Sequence, residues 1–312
     1  MVPGGGHRRA PPLVWALTTA LAVAATAALT LAYGGRSAAC RPTPQASVVA
    51  SQVNSPILSH LPHRFYDVAV AMKNAKVTPP GGTGEFSHHY QTTFDRYLGY
   101  VPVDYPLRIL EIGLGCDMPK DWGGVGNSLR LWQRLFPKAQ ISFIEGDGAC
   151  AEKFRSVIEA TGGRLYVGLQ ADAAAIAQVV EHATSTQAPF DLIVDDGGHV
   201  ATDQLLSLQG LWPALRPGGL YVIEDLLTSY WSNPVMKADD PGAVIPFLKE
   251  AIDAVVGCRT ASPAEHSSKW VAWCRGNGTM PQLAKQFLSL DCAAEICAIQ
   301  KHGSPAPPGV VF

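Results

Sequence analysis

The chain has 312 residues, of which 47% are hydrophobic and 16% charged, and its formal net charge is −2. This length and composition allow one folded domain of about 200–250 residues with additional segments. The nearly balanced charge argues against a strongly basic, nucleic-acid-binding surface, so nucleic acid is not expected as a partner.

The chain begins with a segment that is typical of a membrane anchor. Residues 13–33 are uncharged and apolar; as a helix they would span about 31 Å at ~1.5 Å per residue, close to the thickness of a bilayer core. Trp15 and Tyr33 lie near its ends, where aromatic side chains favour the membrane interface. We therefore expect a single-pass type II anchor, with residues 1–12 in the cytoplasm. A signal peptide cleaved near Ala39 is the alternative, and it predicts a secreted protein.

Both interpretations place the folded domain outside the cytosol. If the chain is anchored, the domain is expected in the lumen of the ER or the Golgi. A glycosylation sequon at Asn277 and seven cysteines agree with that location. The absence of a C-x-x-C pair from the sequence argues against a thiolate metal centre. Cys116 and Cys150 each follow a predicted strand, so neighbouring strand ends can bring them within bonding range; buried free thiols are the alternative. The sequence leaves the pairing of the other cysteines and the oligomeric state open.

Three regions follow the apolar segment. Residues 34–63 are rich in Ala, Ser, Pro and Gln and predict a stem. Residues 64–106 show helical patterning that prolines and glycines interrupt around residues 79–82, with one more helix near Phe94. The main domain is predicted over residues 107–312.

Strands and helices alternate along the main domain. Strands are predicted over residues 107–112, 140–144, 165–167, 190–194 and 220–223, and the tail around 295–300 is expected to supply one or two closing strands. Helices are predicted over residues 129–136, 149–160, 173–182, 201–215 and 242–256, the first with Asn127 or Ser128 as N-cap. This pattern predicts a Rossmann-like, doubly wound α/β domain with a mostly parallel sheet, preceded by one transmembrane helix. Ligands bind at the carboxyl ends of the strands in such folds.

The first strand ends in the sequence E-I-G-L-G. Gly113 and Gly115 allow the backbone to approach a ligand closely, as in nucleotide-binding turns. The dinucleotide fingerprint requires a third glycine where this chain has Met118, which disfavours NAD. Glu145 ends the next strand, where a carboxylate can accept hydrogen bonds from both hydroxyls of a ribose, and Asp147 is a competitor for that role.

Two later strand ends carry clusters of polar residues. The fourth strand runs into I-V-D-D-G-G-H, residues 193–199, and the fifth runs into I-E-D, residues 223–225. A strand that ends in a polar turn would explain either cluster alone. Because both clusters are predicted at neighbouring strand ends beside the E-I-G-L-G turn, we expect them to form one site.

Five motifs in this order resemble those of the class I S-adenosylmethionine-dependent methyltransferases: E-I-G-L-G, F-I-E, G-L-Q-A-D, F-D-L-I-V-D-D-G-G-H and L-R-P-G-G-L-Y-V-I-E-D. The resemblance covers about residues 76–225. Within that family, D-D-G-G-H and I-E-D-L-L-T-S-Y-W are similar to stretches of the macrocin- and mycinamicin-type sugar O-methyltransferases. Two positions depart from the family pattern: Gly198 replaces a serine, and Leu169 replaces an acidic residue that contacts the cofactor.

The resemblance implies S-adenosylmethionine and Mg²⁺ as cofactors, and a hydroxyl of a glycan or a glycosylated small molecule as the methyl acceptor. The cofactor-binding residues that it implies lie after the first three strands. They are Glu111, Gly113 and Gly115 at the methionine end and the ribose, Glu145 at the ribose hydroxyls, and Gln170 and Asp172 beside the adenine.

The resemblance also implies that Asp196, Glu224 and Asp225 hold the metal and that His199 is the catalytic base. Three carboxylates from two strand ends suit a hard cation, and a hydroxyl bound to that cation becomes more acidic. An imidazole then accepts the proton. Asp195 is expected to make local hydrogen bonds rather than to bind the metal.

Other interpretations of these residues remain open. His199 can act as a base without metal, as in a metal-independent O-methyltransferase of small molecules, and a membrane-anchored, catalytically inactive binding protein can keep the same fold. His88 and Tyr90 fit an H-x-Y pattern that lines the cofactor or acceptor pocket in related enzymes, or they form a surface helix turn. Trp231 can stack on a sugar ring or belong to the core.

Overall fold

The computed structural model describes residues 64–79, 88–120, 123–231, 240–257 and 282–303. The predicted anchor and stem, the sequon at Asn277 and the cysteines at positions 40, 258 and 274 lie outside these residues and stay predictions. Within the described ranges, no helix combines the length and the apolar character that a membrane span requires.

One sheet of seven strands organises the described part of the chain, in the order β3-β2-β1-β4-β5-β7-β6. Its strands are β1 (Arg108–Ile112), β2 (Gln140–Glu145), β3 (Leu165–Val167), β4 (Phe190–Asp195), β5 (Leu215–Ile223), β6 (Phe287–Ala293) and β7 (Ile296–Lys301). The first five strands pair in parallel, whereas β7 pairs antiparallel with both β5 and β6. The α/β class and the mostly parallel sheet are therefore confirmed.

Helices cover both faces of this sheet. They are α1 (Arg64–Ala71), α2 (Gln91–Leu98), α3 (Asn127–Leu135), α4 (Gly148–Ala151), α5 (Arg155–Glu159), α6 (Ala173–Ser185), α7 (Ala201–Leu211) and α8 (Val244–Gly257). Neighbouring residues of β1 face opposite layers: Ile109 packs in a core with α1, α2 and α3, and Leu110 packs in a core with α6, α7 and α8. This arrangement is the doubly wound one that the apolar strands predict.

Two helices differ most from their predicted extent. The helix expected over residues 201–215 ends at Leu211, because Pro213 in the following 3₁₀ turn has no N–H to continue the helical hydrogen bonds. The helix expected over residues 149–160 is divided into α4 and α5 by a 3₁₀ turn. In that turn, the Phe154 ring packs against Gly126, where a Cβ atom would lie 2.9 Å from it. The 3₁₀ turn that interrupts the helix thus packs against the loop before α3.

The predicted cap of α3 is wrong. Its N-cap residue is Gly126, which has a left-handed backbone with φ of 71° and makes no side-chain cap hydrogen bond. Asn127 is buried, and the Ser128 side chain lies beside Glu111, where it helps to lower the pKa of that carboxyl. Neither of these two polar side chains therefore caps the helix.

An aromatic cluster attaches the segment before β1 to the sheet. The rings of Phe65 and Phe94 stack with centroids 4.5 Å apart, and the Phe94 ring meets Trp132 edge-on at 5.4 Å. The buried Asp95 carboxylate accepts a hydrogen bond from the Phe65 N–H at 2.7 Å. These contacts bring Lys76 and residues 88–90 to the carboxyl ends of the central strands.

Candidate active site

The glycine turn after β1 is shaped by the neighbouring strand. Gly113 has a φ of 93°, and a Cβ atom there would lie 2.1 Å from the backbone carbonyl oxygen of Asp196. Gly115 has a φ of 72°, a conformation that side-chain-bearing residues rarely adopt. The sequence explained these glycines by approach to a ligand, whereas at Gly113 the structure already requires glycine for the close packing of two strand ends.

Glu145 reaches the same turn from the end of β2. Its carboxylate accepts hydrogen bonds from the backbone N–H of Leu114 at 2.9 Å and of Asp147 at 2.8 Å. The competitor, Asp147, is the N-cap of α4 and accepts from the Cys150 N–H at 3.0 Å. Glu145 is thus the carboxylate that contacts the glycine turn, whereas the carboxylate of Asp147 caps a helix.

A disulfide bond joins the two loops that carry these residues. Cys116 and Cys150 are bonded, with their Cα atoms 5.9 Å apart. Their pairing was one of the two expectations for these cysteines, and the bond confirms it. It holds the loop after β1 against the start of α4.

The two residues predicted beside the adenine have different surroundings. Gln170 is buried, and its amide donates to Asp195 Oδ1 at 2.7 Å and accepts from the Gly198 N–H at 2.8 Å. Asp172 caps α6 by accepting from the Ala174 N–H at 2.8 Å. Gln170 therefore holds the loop after β4 in place through both ends of its amide.

Asp195 and Asp196 have different surroundings, because Asp195 is the last residue of β4 and Asp196 is the first residue after it. Asp195 is fully buried and accepts hydrogen bonds from the side chains of Gln170, Ser207 and Tyr221. Burial raises the pKa of Asp195 to about 7, and the hydrogen bond from Ser207 opposes that rise. The local bonding expected of Asp195, as a turn cap or to backbone amides, is therefore wrong, since the partners that the structure gives it are three side chains distant in sequence.

Lys76 lies between three carboxylates from three strands. Its Nζ is 2.6 Å from Asp196 Oδ2, 2.5 Å from Glu224 Oε2 and 3.3 Å from Glu111 Oε1. The side chain is only 7% exposed. Glu111 also accepts a hydrogen bond from the indole N–H of Trp132 at 2.6 Å. No role for Lys76 can be predicted from the sequence, because nothing in its local pattern connects it to strands far along the chain.

The charges in this cluster depend on one another. Burial raises the pKa of Glu111 and raises that of Glu224 well above its ordinary value, while the Lys76 ammonium opposes both shifts. Burial alone would lower the pKa of Lys76, but the carboxylates of Asp196, Glu224 and Glu111 together raise it well above its usual range. Lys76 is thus a cation held inside the domain by a larger number of acidic groups.

Asp225 connects two histidines and a tyrosine. Tyr90 donates its hydroxyl proton to Asp225 Oδ1 at 3.0 Å, and the same hydroxyl oxygen accepts from the Asp225 N–H at 3.0 Å. Asp225 Oδ1 lies 3.5 Å from His88 Nε2, and its Oδ2 lies 3.6 Å from His199 Nε2. The H-x-Y residues therefore contact the predicted site, in agreement with the first of the two interpretations of that pattern.

His199 has an unusual backbone and one unpartnered ring nitrogen. Its φ is 56°, and its carbonyl oxygen accepts a hydrogen bond from Thr228 Oγ1 at 2.9 Å. Among the described residues, none hydrogen-bonds to the buried Nδ1 atom of His199. The ring is thus placed beside Asp225 by a strained loop, with one nitrogen left for another partner.

The predicted metal ligands lie in two neighbouring groups that share Asp196. Asp196, His199 and Asp225 each offer a donor atom, and these atoms all lie within 4.8 Å of one another. Glu224 instead contacts Lys76 through Oε2, while its buried Oε1 has no hydrogen-bond partner within the described ranges. The structure therefore brings Asp196 and Asp225 together with the predicted base, while Lys76 lies between Asp196 and the third carboxylate, that of Glu224.

Two aromatic residues follow this cluster at the surface. A 3₁₀ turn, Leu226–Tyr230, starts directly after Asp225. Tyr230 is 65% exposed and Trp231 is 55% exposed. Trp231 is therefore not a core residue, which excludes one of the two interpretations of its role.

Comparisons with known proteins agree with the resemblance seen in the motifs. The chain is 33% identical over 207 residues to mycinamicin VI 2''-O-methyltransferase of Micromonospora griseorubida, covering 64% of this chain and 44% of that protein. It is 36% identical over 186 residues to demethylmacrocin O-methyltransferase of Streptomyces fradiae, covering 57% of this chain and 42% of that protein. The chain thus spans less than half the length of these two curated relatives. No protein-family model matches it.

A solved structure extends the similarity to the fold. The MycE methyltransferase from the mycinamycin biosynthetic pathway, in complex with Mg and SAH, superposes with a TM-score of 0.54 at 25% identity, covering 77% of this chain and 54% of that chain. A second crystal form gives a TM-score of 0.52 at 26% identity over 77% of this chain and 53% of that one. In sequence and in fold, the chain resembles the class I S-adenosylmethionine-dependent methyltransferases, and among them the sugar O-methyltransferases.

Proposed function

We propose that the protein is an S-adenosylmethionine-dependent O-methyltransferase that acts on a hydroxyl of a glycan or a glycosylated small molecule. The observation that carries the proposal is the group formed by Asp196, His199 and Asp225 at the carboxyl ends of β4 and β5. This group adjoins the glycine turn after β1, since a Cβ atom at Gly113 would collide with the Asp196 backbone. A proton acceptor and anionic ligands thus lie next to a turn suited to the cofactor.

The proposed cofactor site is centred on Glu145. Each of its two oxygens accepts a hydrogen bond from a different backbone N–H. Each oxygen also has a second lone pair, which can accept a hydrogen bond from a ribose hydroxyl. Gly113 and Gly115 form the adjoining turn, with Glu111 and Lys76 behind it. Gln170 and Asp172 complete the proposed set on the adenine side: Gln170 would act by holding the loop after β4, and Asp172 from the start of α6.

The proposed cation site fits the acidic groups that are present. Asp196 and Asp225 would bind Mg²⁺ together with Glu224, whose buried Oε1 lacks a partner among the described residues. When ionised, these carboxylates and Glu111 outnumber the single ammonium of Lys76, so a divalent cation and a sulfonium cofactor would balance the excess negative charge. The bound ion would make an acceptor hydroxyl more acidic.

His199 is the proposed base. The acceptor hydroxyl gives its proton to the imidazole as its oxygen forms a bond to the methyl carbon, the carbon–sulfur bond breaks, and S-adenosylhomocysteine leaves. Asp225 Oδ2 lies 3.6 Å from His199 Nε2, so its negative charge stabilises the imidazolium that forms. The transfer itself mainly requires that the hydroxyl and the methyl group be held in line.

The exposed rings of Tyr230 and Trp231 support a sugar acceptor. They lie in and directly after the 3₁₀ turn that begins at Asp225, and more than half of each side chain is exposed. An aromatic face packs well against the C–H face of a sugar while its hydroxyls remain free. This placement favours a glycosylated acceptor over a small aglycone.

Cofactor binding tests the proposal most directly. In isothermal titration calorimetry, we expect the protein to bind S-adenosylmethionine and the Glu145→Ala variant to bind at least about tenfold more weakly, since two charge-assisted hydrogen bonds to the ribose are lost. Failure of the wild-type protein to bind the cofactor would refute the methyltransferase function. Binding without turnover on any glycosylated acceptor would favour the inactive binding protein.

Turnover tests the roles of His199 and the metal. The His199→Asn variant should lose about 100- to 10,000-fold in kcat and keep its affinity for the cofactor. His182→Asn, on α6, is the matched control and should keep full activity. If a chelator leaves turnover of the wild-type protein unchanged, the magnesium role is wrong and the metal-independent mechanism is favoured.

A further inference from the structure

A second group of donor atoms meets Asp225 from the side opposite His199. His88, Asp225 and Glu295 each place one ring nitrogen or carboxylate oxygen within 4.8 Å of the others. His88 Nδ1 lies 2.6 Å from Glu295 Oε2, and His88 Nε2 lies 3.5 Å from Asp225 Oδ1. The three residues come from the segment before α2, the end of β5 and the turn between β6 and β7.

The His88 ring is held in one orientation. It stacks on the Tyr90 ring with centroids 4.5 Å apart and an interplanar angle of 16°. The backbone N–H of His88 donates to the Ala75 carbonyl oxygen at 3.1 Å. Each ring nitrogen faces one carboxylate, so a hydrogen bond at Glu295 determines how the ring is presented to Asp225.

The turn that carries Glu295 is anchored on both sides. Cys292 and Cys297 form a disulfide bond across the hairpin, directly beside the turn. The Glu295 carbonyl oxygen accepts a hydrogen bond from the N–H of Leu226, the residue after Asp225, at 2.9 Å. Glu295 also has a φ of 69°, which places its backbone in the left-handed region. The hairpin tip is therefore attached to the same stretch of backbone that its side chain supports through His88.

We propose that Glu295 and His88 are positioning residues that orient the Asp225 carboxylate. The inference rests on the proposed function, in which Asp225 binds the cation and faces His199. Tyr90 and His88 engage Asp225 Oδ1, which leaves Oδ2 on the side of His199. Partners of this kind fix the orientation of a metal-binding carboxylate and raise the affinity of its site. The disulfide-bonded hairpin tip thus forms part of the active site.

Mn²⁺ binding to the full chain, followed by electron paramagnetic resonance, tests this role. We expect Glu295→Ala to weaken Mn²⁺ binding by about 10–100-fold, because His88 loses the partner that orients it. Glu295→Gln should retain most of the affinity, since its amide oxygen still accepts from His88 Nδ1. The control is Asp291→Asn, on the same hairpin, whose carboxylate pairs with Arg96. It should bind Mn²⁺ like the wild-type protein.

Cofactor affinity and thermal stability separate the possible failures. Equal Mn²⁺ affinity in the wild-type and Glu295→Ala proteins, or no Mn²⁺ binding by the wild-type protein, overturns the positioning role when cofactor binding is intact. A fall from two bound Mn²⁺ ions to one in Glu295→Ala also overturns it, because Glu295 would then be a ligand of a second ion. A lower Tm in both Glu295 variants, with no rescue by glutamine, identifies a purely structural role. Absence of cofactor binding in the wild-type protein would instead refute the proposed function.

Discussion

Lys76 shows how a single side chain can connect the ends of three strands. It contacts Asp196 and Glu224, which lie 120 and 148 residues away along the chain, and Glu111 in β1. A buried ammonium stabilises such a cluster only while its acidic partners surround it, and removal of either side leaves charge without compensation. At this scale the chemistry of the site depends on contacts between residues that are distant in sequence.

Replacement of Lys76 by methionine should destabilise the fold. The side chain has a similar length but no charge, so the buried carboxylates lose their cation, at a cost of about 3–5 kcal/mol in the free energy of unfolding. Urea denaturation measures this loss. Mg²⁺ should restore more stability to the variant than it adds to the wild-type protein, because an added cation can replace the missing ammonium. An unchanged free energy of unfolding would contradict the role given to Lys76.

Asp195 predicts a pH dependence of stability. Burial raises its pKa from 3.8 to about 7, so the folded state binds the proton more tightly than the unfolded state does. The stability contributed by this group is complete below about pH 4 and is lost as the pH rises through about 7. In Asp195→Asn, whose amide keeps an acceptor for Gln170, the loss should be absent. The difference in unfolding free energy, wild type minus variant, should therefore fall between pH 4 and 7; a constant difference would contradict the prediction.

The strands and their end turns are the elements that form the site. The backbone of Asp196 passes so close to Gly113 that the ends of β1 and β4 pack without any side chain between them. Gly198 differs, since among the described residues, its chain neighbours aside, a Cβ atom there would have only Gln170 Oε1 within 4 Å, at 3.9 Å. Packing therefore requires a glycine at position 113, whereas the contacts of the protein itself do not require one at position 198.

Alanine at Gly113 should disrupt the packing of the two strand ends. Its Cβ atom meets the Asp196 carbonyl oxygen, and the φ of 93° is strained for any other residue, so we expect a loss of stability of at least about 1–3 kcal/mol and of cofactor affinity. Serine at Gly198, the residue that the family pattern predicts there, is the matched control. It should change stability by less than about 0.5 kcal/mol. Thermal denaturation and calorimetric titration compare the two; equal effects would contradict the steric argument.

At the scale of the molecule, the sheet is accompanied by two disulfide bonds among the described residues and by a predicted membrane anchor. The bonds Cys116–Cys150 and Cys292–Cys297 lie on the described part of the chain. Disulfides persist in oxidising compartments, which supports the proposal that the domain lies in the ER or Golgi lumen. The apolar residues 13–33 and the sequon at Asn277 carry the rest of that proposal.

Membrane association and glycosylation test the predicted location. We expect the full chain to stay with the membrane fraction after alkaline carbonate extraction, because residues 13–33 can span a bilayer core as a helix. An endoglycosidase should lower its apparent mass, and Asn277→Gln should remove that shift. Recovery of a soluble chain that begins near Ala39 would instead establish the cleaved signal peptide.

The order of strands and helices along the chain, and the edge of the sheet at which the polar motifs meet, could be predicted from the sequence alone. Apolar runs of strand length separated by helices require a parallel sheet with both faces covered, and the polar residues after β1, β2, β4 and β5 then meet at one edge. Local propensity gave less information about helix ends: Pro213 stops one helix, and Gly126 rather than Asn127 or Ser128 is the N-cap of another. Those ends depend on backbone conformation and packing.

Which polar groups touch depends on the folded chain and could not be read from the sequence. Folding places Lys76 between Asp196 and Glu224, and brings Glu295 from the last hairpin to His88. Periodicity reports the face on which a residue lies, since it depends on neighbours within a few positions. The contacts of a buried charge depend instead on segments that folding brings together from the whole chain.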